Sequence, residues 1–179
     1  MLKPTALATA ALLAGIGTAA PAQADSGSFP DAARDAAVRG LDILQVKVAN
    51  RADQVVVTSV HRNLKRSQIA GVRLWVDTNK DRKGPERTIS LVTTDVDTDY
   101  YVFRANGWKA QGEPLSCGTS VRVKYKTDRV RLALGDDCFN NRERVRVNLQ
   151  ASFRRSESAK LRTDHAPDKH KFYPWVDEG

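Results

Sequence analysis

Residues 117–138 read CGTSVRVKYKTDRVRLALGDDC, and in them Val121, Val123, Tyr125, Val130, Leu132 and Leu134 alternate with Arg122, Lys124, Lys126, Arg129 and Arg131. An apolar residue at every second position turns one face of a strand to a core and the other to water. The interruption at Thr127-Asp128 predicts a hairpin. A two-residue turn there pairs Lys126 with Arg129, Tyr125 with Val130, Val123 with Leu132 and Val121 with Leu134. Continued outward, the same count sets Cys117 opposite Cys138 on the apolar face. It falls at a non-hydrogen-bonded position, where alpha carbons approach to about 4.5 Å, within reach of a disulfide. Gly118 and Gly135 are places where a bulge would alter the register, and Thr-Asp is a weaker turn signal than Asn-Gly.

The same period recurs in LDILQVKV (41–48), VVVTSV (55–60), VRLWV (72–76), TISLVT (88–93), YYVFR (100–104) and VRVNLQASF (145–153), with polar turns between them. About eight strands at this spacing predict an all-β fold, an antiparallel two-sheet sandwich of jelly-roll type with one disulfide hairpin. A minor N-terminal helix is expected over 30–39, PDAARDAAVR, where alanines favour helix and Pro30-Asp31 suits its start. The segment 154–162 reads as a solvated connector, and Tyr173, Pro174 and Trp175 as a C-terminal tail docked on the sandwich.

The first 24 residues have the form of a secretory leader: Lys3, an apolar small-residue core over 6–20, and Ala22-Gln23-Ala24 before the expected cleavage. No later stretch reaches the roughly 20 apolar residues of a membrane helix. Export leaves 155 of the 179 residues, 25–179, which suits a single domain. Losing Lys3 lowers the formal charge from +8 to +7. With Cys117 and Cys138 the only two cysteines, an extracellular compartment favours their disulfide, and a zinc site lacks ligands.

The order of these features resembles secreted β-sandwich proteins of actinobacteria: a leader, LDILQVKV, LWVDTNKDRKGPE (74–86), an NGW turn (106–108), paired cysteines and the ending DHAPDKHKFYPWVDEG (164–179). It is also similar, at the level of fold, to carbohydrate-module-like sandwiches, whose early strand connections are Asp-rich. Those resemblances imply a sandwich and leave the ligand open.

Three candidate sites follow. Lys124, Lys126, Arg129 and Arg131 put like charges across the hairpin, which costs roughly 0.2–1 kcal/mol per pair unless an anion or an anti-aggregation role offsets it. If the strand over 145–153 lies in the same sheet, Arg144 and Arg146 extend that face. Trp75 shares its strand side with Arg73 and Asp77, so its ring is a candidate for stacking on a sugar. Asp77, Asn79, Asp81 and Glu86 supply oxygens at spacings that suit calcium, but an EF-hand would need Gly and Glu where Arg82 and Thr88 stand. Lys80, Arg82, Lys83 and Arg87 crowd the same loop, and side-chain-to-backbone turns explain it equally well.

His61, His165 and His170 sit in no nucleophile, zincin or phosphate-loop motif, so no catalytic residue is assigned and no enzyme is expected. The expectation is a secreted, non-catalytic binding or surface-interaction module for an anionic cell-envelope polymer or polysaccharide, without a cofactor unless calcium fills the loop. The alternatives are an inhibitor or adaptor of a secreted enzyme, whose partner is then a protein, and a secreted hydrolase. Few aromatics interleave with the basic residues, which argues against nucleic acid.

Overall fold

Among the described residues twelve strands form two antiparallel sheets, and eight of them fall on the segments whose period is two. The computed structural model describes residues 25–94, 97–140, 142–156 and 158–179; the expected leader over 1–24 lies outside them. One sheet is ordered β1 (Asp25–Pro30), β2 (Ile43–Arg51), β3 (Gln54–His61), β9 (Arg129–Gly135), β8 (Thr119–Lys124). The other is ordered β11 (Arg162–Ala166), β10 (Arg144–Phe153), β4 (Gly71–Asp77), β5 (Arg87–Thr93), β6 (Thr98–Ala105), β7 (Ala110–Gln111). In that seven-stranded sheet β12 (Val176–Asp177) pairs with the start of β10. The chain changes sheet between β3 and β4, between β7 and β8, and between β9 and β10.

The inner faces hold what the alternation predicts. Val46, Val48, Val55, Val57, Val130, Leu132 and Leu134 of one sheet are buried with Val72, Leu74, Val76, Ile89, Leu91, Val145, Val147 and Leu149 of the other. Each such side chain contributes about 1.5–3 kcal/mol when fully removed from water, offset by the entropy of ordering the chain.

The hairpin forms, but in a register two residues from the one expected: Lys124 pairs with Arg129, Val123 with Val130, Arg122 with Arg131 and Val121 with Leu132. Its turn is longer than two residues. Tyr125–Thr127 make a 3₁₀ turn and Asp128 follows in the left-handed region at φ 55°. Two partners hold it there: the Asp128 carboxylate accepts the Leu64 N–H at 2.7 Å, and its carbonyl accepts the His61 N–H at 2.8 Å. A shift of two keeps every side chain on its expected face. In this register Cys117 would continue toward Asp136, and the 3₁₀ turn Asp136–Cys138 instead folds Cys138 back to it. The disulfide closes with alpha carbons 5.2 Å apart. Gly135 is required at this corner, since its N–H meets the Gly118 carbonyl at 2.5 Å and a Cβ there would lie 2.9 Å from that oxygen.

The helix expected over 30–39 is not formed. Pro30 ends β1, and turns and bends follow. The buried Asp42 carboxylate accepts the Arg34 N–H at 3.0 Å, and Arg34 has φ 74°, which interrupts any helical turn. A tertiary bond from Asp42 thus overrides the helix propensity of the alanines.

The sandwich has two distinct ends. One carries the connections 31–42, 62–70, 125–128 and 154–161; the other carries the disulfide, the loop 78–86 and the turn at 136–143. The chain after β11 crosses the outer side of β10. There Asn148 Nδ2 donates to the carbonyls of Asp168 and Lys171 at 2.9 and 2.7 Å, and Tyr173 N–H donates to Val147 O at 3.0 Å. The Tyr173 ring stacks on Phe29 at 4.8 Å and Phe172 stacks on Trp108 at 4.8 Å.

Candidate functional site

The register places the outward side chains of the five-stranded sheet in rows. One row runs Ser28, Lys47, Thr58, Arg131, Arg122; the next runs Pro30, Gln45, Val60, Arg129, Lys124. On the other side of the first lies Ser26, Ala49, Val56, Ala133, Ser120, and beyond it the pair Arg51 and Gln54. Among the described residues this face bears six cations, Lys47, Arg51, Arg122, Lys124, Arg129 and Arg131, and neither Asp nor Glu. None of the six side chains makes an ion pair or a hydrogen bond within the described residues. Strands lie about 4.8 Å apart and same-face neighbours along a strand about 7 Å apart, so the cations form a two-dimensional array. Lys47 belongs to LDILQVKV (41–48), whose period marked it as a strand, and Arg51 lies on the extension of that strand beyond the expected segment; the sheet order that sets them beside Arg131 was not legible.

Arg144 and Arg146 stand apart from this array, because β10 belongs to the opposite sheet. Arg144 pairs with Asp177 at 3.4 Å. Arg146 donates through Nε and Nη2 to Asp77 Oδ2 at 2.8 and 2.7 Å, and its guanidinium lies 4.7 Å from the Phe172 ring and 4.5 Å from Trp175. It fastens the tail. Lys126 is exposed in the turn after β8, at the end of the sandwich away from the disulfide.

Trp75 is on the side of β4 that its parity indicates, yet it is only 5 % exposed. Trp108 packs edge-on against it at 5.7 Å, and His170 and Phe172 stack on Trp108 in turn. The tail therefore covers the ring expected to meet a sugar. Tyr101, 48 % exposed, is the open aromatic of that sheet face.

In the loop after β4 the oxygens serve the backbone. Asp77 Oδ1 accepts the Asn79 N–H at 3.1 Å, Asn79 Oδ1 accepts the Asp81 N–H at 2.9 Å, and Glu86 Oε2 accepts the Thr78 N–H at 2.8 Å. Burial, then the neighbouring Asp77, hold the Glu86 carboxyl above its usual range. Asp77, Asp81 and Glu86 do not converge on one point; among the described residues the only three acids whose oxygens do are Asp31, Asp35 and Asp164. Beside this loop, a cavity of about 420 Å³ is lined by both signs, with Lys80, Arg82, Arg87 and Arg144 against Asp81, Glu86 and Glu143.

The other end holds a larger cleft, about 840 Å³, between the 37–38 and 66–70 connections, the ends of β5 and β10, and the start of β11. Arg66, Arg155, Lys160 and Arg162 line it with no acidic side chain among the described residues; Glu157 is not among those. Arg66 donates to Thr94 O at 2.9 Å and lies over the Tyr125 ring at 5.2 Å, which joins the cleft to the hairpin turn. The sequence had marked 154–162 only as a connector.

The buried titratable groups are structural. His61 is neutral, its pKa lowered to about 4 by burial; Nδ1–H donates to Leu41 O at 3.2 Å and Nε2 accepts from Ser59 Oγ at 3.0 Å. Asp164 accepts the Ile43 N–H at 2.8 Å, tying β11 to the start of β2. Arg142, 4 % exposed, donates to Asn50 Oδ1, to Arg51 O at 2.7 Å and to Asp136 Oδ1 at 3.1 Å.

Fold and surface together define a disulfide-bonded, two-sheet antiparallel β-sandwich with one sheet face whose charged side chains, among the described residues, are all cationic. Against protein-family models, curated proteins and solved structures, the chain finds no match.

Proposed function

We propose that this is an exported, non-catalytic binding module that holds an anionic polymer of the cell envelope along the outer face of the five-stranded sheet. The observation that supports it is the array of Lys47, Arg51, Arg122, Lys124, Arg129 and Arg131 without a carboxylate on the same face. Arg122 opposite Arg131 and Lys124 opposite Arg129 are like-charge pairs that disfavour the fold when nothing sits between them. A repeating polyanion, with charges several ångströms apart, offsets that repulsion and displaces its own counterions on binding. A single small anion would meet only one or two of the six.

Retention of residues 25–179 on immobilised poly(glycerol phosphate) tests this reading. Binding at 0.1 M salt and release by 1 M is expected, since the screening length falls from about 10 to 3 Å over that range. Elution independent of salt, or no retention at 0.1 M, would end it.

A further inference from the structure

We infer that the 840 Å³ cleft at the end opposite the disulfide is a second site, which takes one molecule of an anionic amphiphile: an acyl or alkyl chain carrying a phosphate or carboxylate head. The inference does not depend on the polymer reading, because cleft and sheet face share no residue.

Three observations lead there. First, the volume lies in the range of about 300–1,000 Å³ that small-molecule sites occupy. Second, the cleft opens onto the end of the hydrophobic core. Phe153, on the inward side of β10, is only partly buried, as is Val38 on the facing connection, and both pack on the core cluster; Ile69 beneath is part of it. An open end of the core, walled by Val38 and Phe153, is a seat for hydrocarbon. Third, the charged side chains of the rim are, among the described residues, all cationic. Arg155, Lys160 and Arg162 make no ion pair or hydrogen bond within the described residues, and Arg66 approaches from the opposite wall. An apolar strip of Val38, Ile69 and Phe153, flanked by Ser67, Gln68, Thr93 and Thr94 under a cationic rim, matches a molecule with an apolar chain and one anionic, hydrogen-bonding end. A free inorganic anion would leave the strip unused, and a neutral lipid would leave the rim unanswered.

Calorimetric titration of residues 25–179 with n-alkyl phosphates of increasing chain length, below micelle formation, tests this. Each buried methylene contributes about 0.8 kcal/mol, so affinity is expected to rise about fourfold per added carbon until the cleft is full. The exposed pair Arg155→Gln and Arg162→Gln is expected to weaken octyl phosphate at least tenfold. Octyl glucoside is expected to bind at least tenfold more weakly than octyl phosphate. The sheet-face pair Arg122→Glu and Arg131→Glu is expected to leave octyl phosphate within about twofold.

Affinity independent of chain length would overturn the inference in favour of a plain anion site. Equal binding of the glucoside would overturn it in favour of an uncharged ligand. Loss on the sheet-face substitutions would place the amphiphile elsewhere, and no binding at millimolar octyl phosphate would remove the site altogether. The series on the unsubstituted protein carries the test even if a cleft variant fails to fold.

Discussion

Replacing Arg146 is expected to unfasten the tail without touching ligand binding. The guanidinium reaches Asp77 at 2.7 and 2.8 Å; Asp77 is fully buried, whereas Arg146 is 29 % exposed. Removing one partner of a buried pair costs about 3–5 kcal/mol because the other charge stays behind without compensation. Water can reach the vacated side of this pair, which places Arg146→Met near the lower limit, about 3 kcal/mol. Either substitution removes the cation over the Phe172 and Trp175 rings, and Arg146→Ala also removes the side-chain stem that packs there, so it is expected to melt below Arg146→Met. For a domain of this length 1 kcal/mol moves the melting temperature by about 2–4 °C, so Arg146→Met is expected to lower it by about 6–12 °C. The double variant Asp77→Asn with Arg146→Met removes the stranded charge and is expected to melt above the single Arg146→Met variant. Thermal melting followed by circular dichroism measures all three. A single variant within 2 °C of the parent, or a double variant less stable than the single, would refute the ion-pair reasoning.

Other outcomes follow from the same structure. Cys117→Ser with Cys138→Ser opens a covalent loop with a sequence separation of 21 and is expected to cost about 3 kcal/mol, read as a fall in the denaturant midpoint. Asp31 is raised to about 7 and Asp164 to about 6, first by burial and then by neighbouring carboxylates. Folded-state values above the unfolded ones mean the folded chain holds these protons more tightly. Their contribution is therefore complete below about pH 4 and declines as pH rises through 6 and 7. His61 acts in the opposite sense, losing stability as pH falls from 6.5 through 4, so the test is a difference. Asp31→Asn is expected to gain on the parent between pH 5 and pH 8, and a gap that stays constant with pH would contradict the assignment. Millimolar calcium is expected to leave the melting temperature unchanged, because the oxygens of Asp77, Asn79 and Glu86 are engaged with loop amides; a rise abolished by Asn79→Ala with Asp81→Ala would mean the loop rearranges around an ion.

What was legible in the sequence was whatever depends on period alone. Alternation in 121–134 and 145–153 names strands and faces, and these hold outside the turn at 125–128. β1, β7, β11 and β12 were not legible, because DSGSFP, AQ, RTDHA and VD carry no alternating apolar pattern. β1 and β11 are fixed by distant partners, Tyr173 against Phe29 and Asp164 against Ile43 N–H. The same limit governed the site. Lys124, Arg129 and Arg131 were placed on an outer face by parity, but only sheet order adds Lys47 and Arg51 and removes Arg144 and Arg146. Trp75 shows the limit most plainly: its side of the strand was readable, and its burial under Trp108 and the tail was not.

The central claim is that the five-stranded sheet's outer face holds a polyanion, and charge reversal on that face tests it most directly. Binding of poly(glycerol phosphate) is compared for the parent, for Lys47→Glu with Arg122→Glu and Arg131→Glu, and for a control with Arg82→Glu and Arg144→Glu, which line the mixed-charge cavity at the disulfide end. The account predicts at least a tenfold loss and a shallower salt dependence for the face variant alone, with all three proteins folded. Equal losses in both variants, or undiminished binding by the face variant, would contradict it.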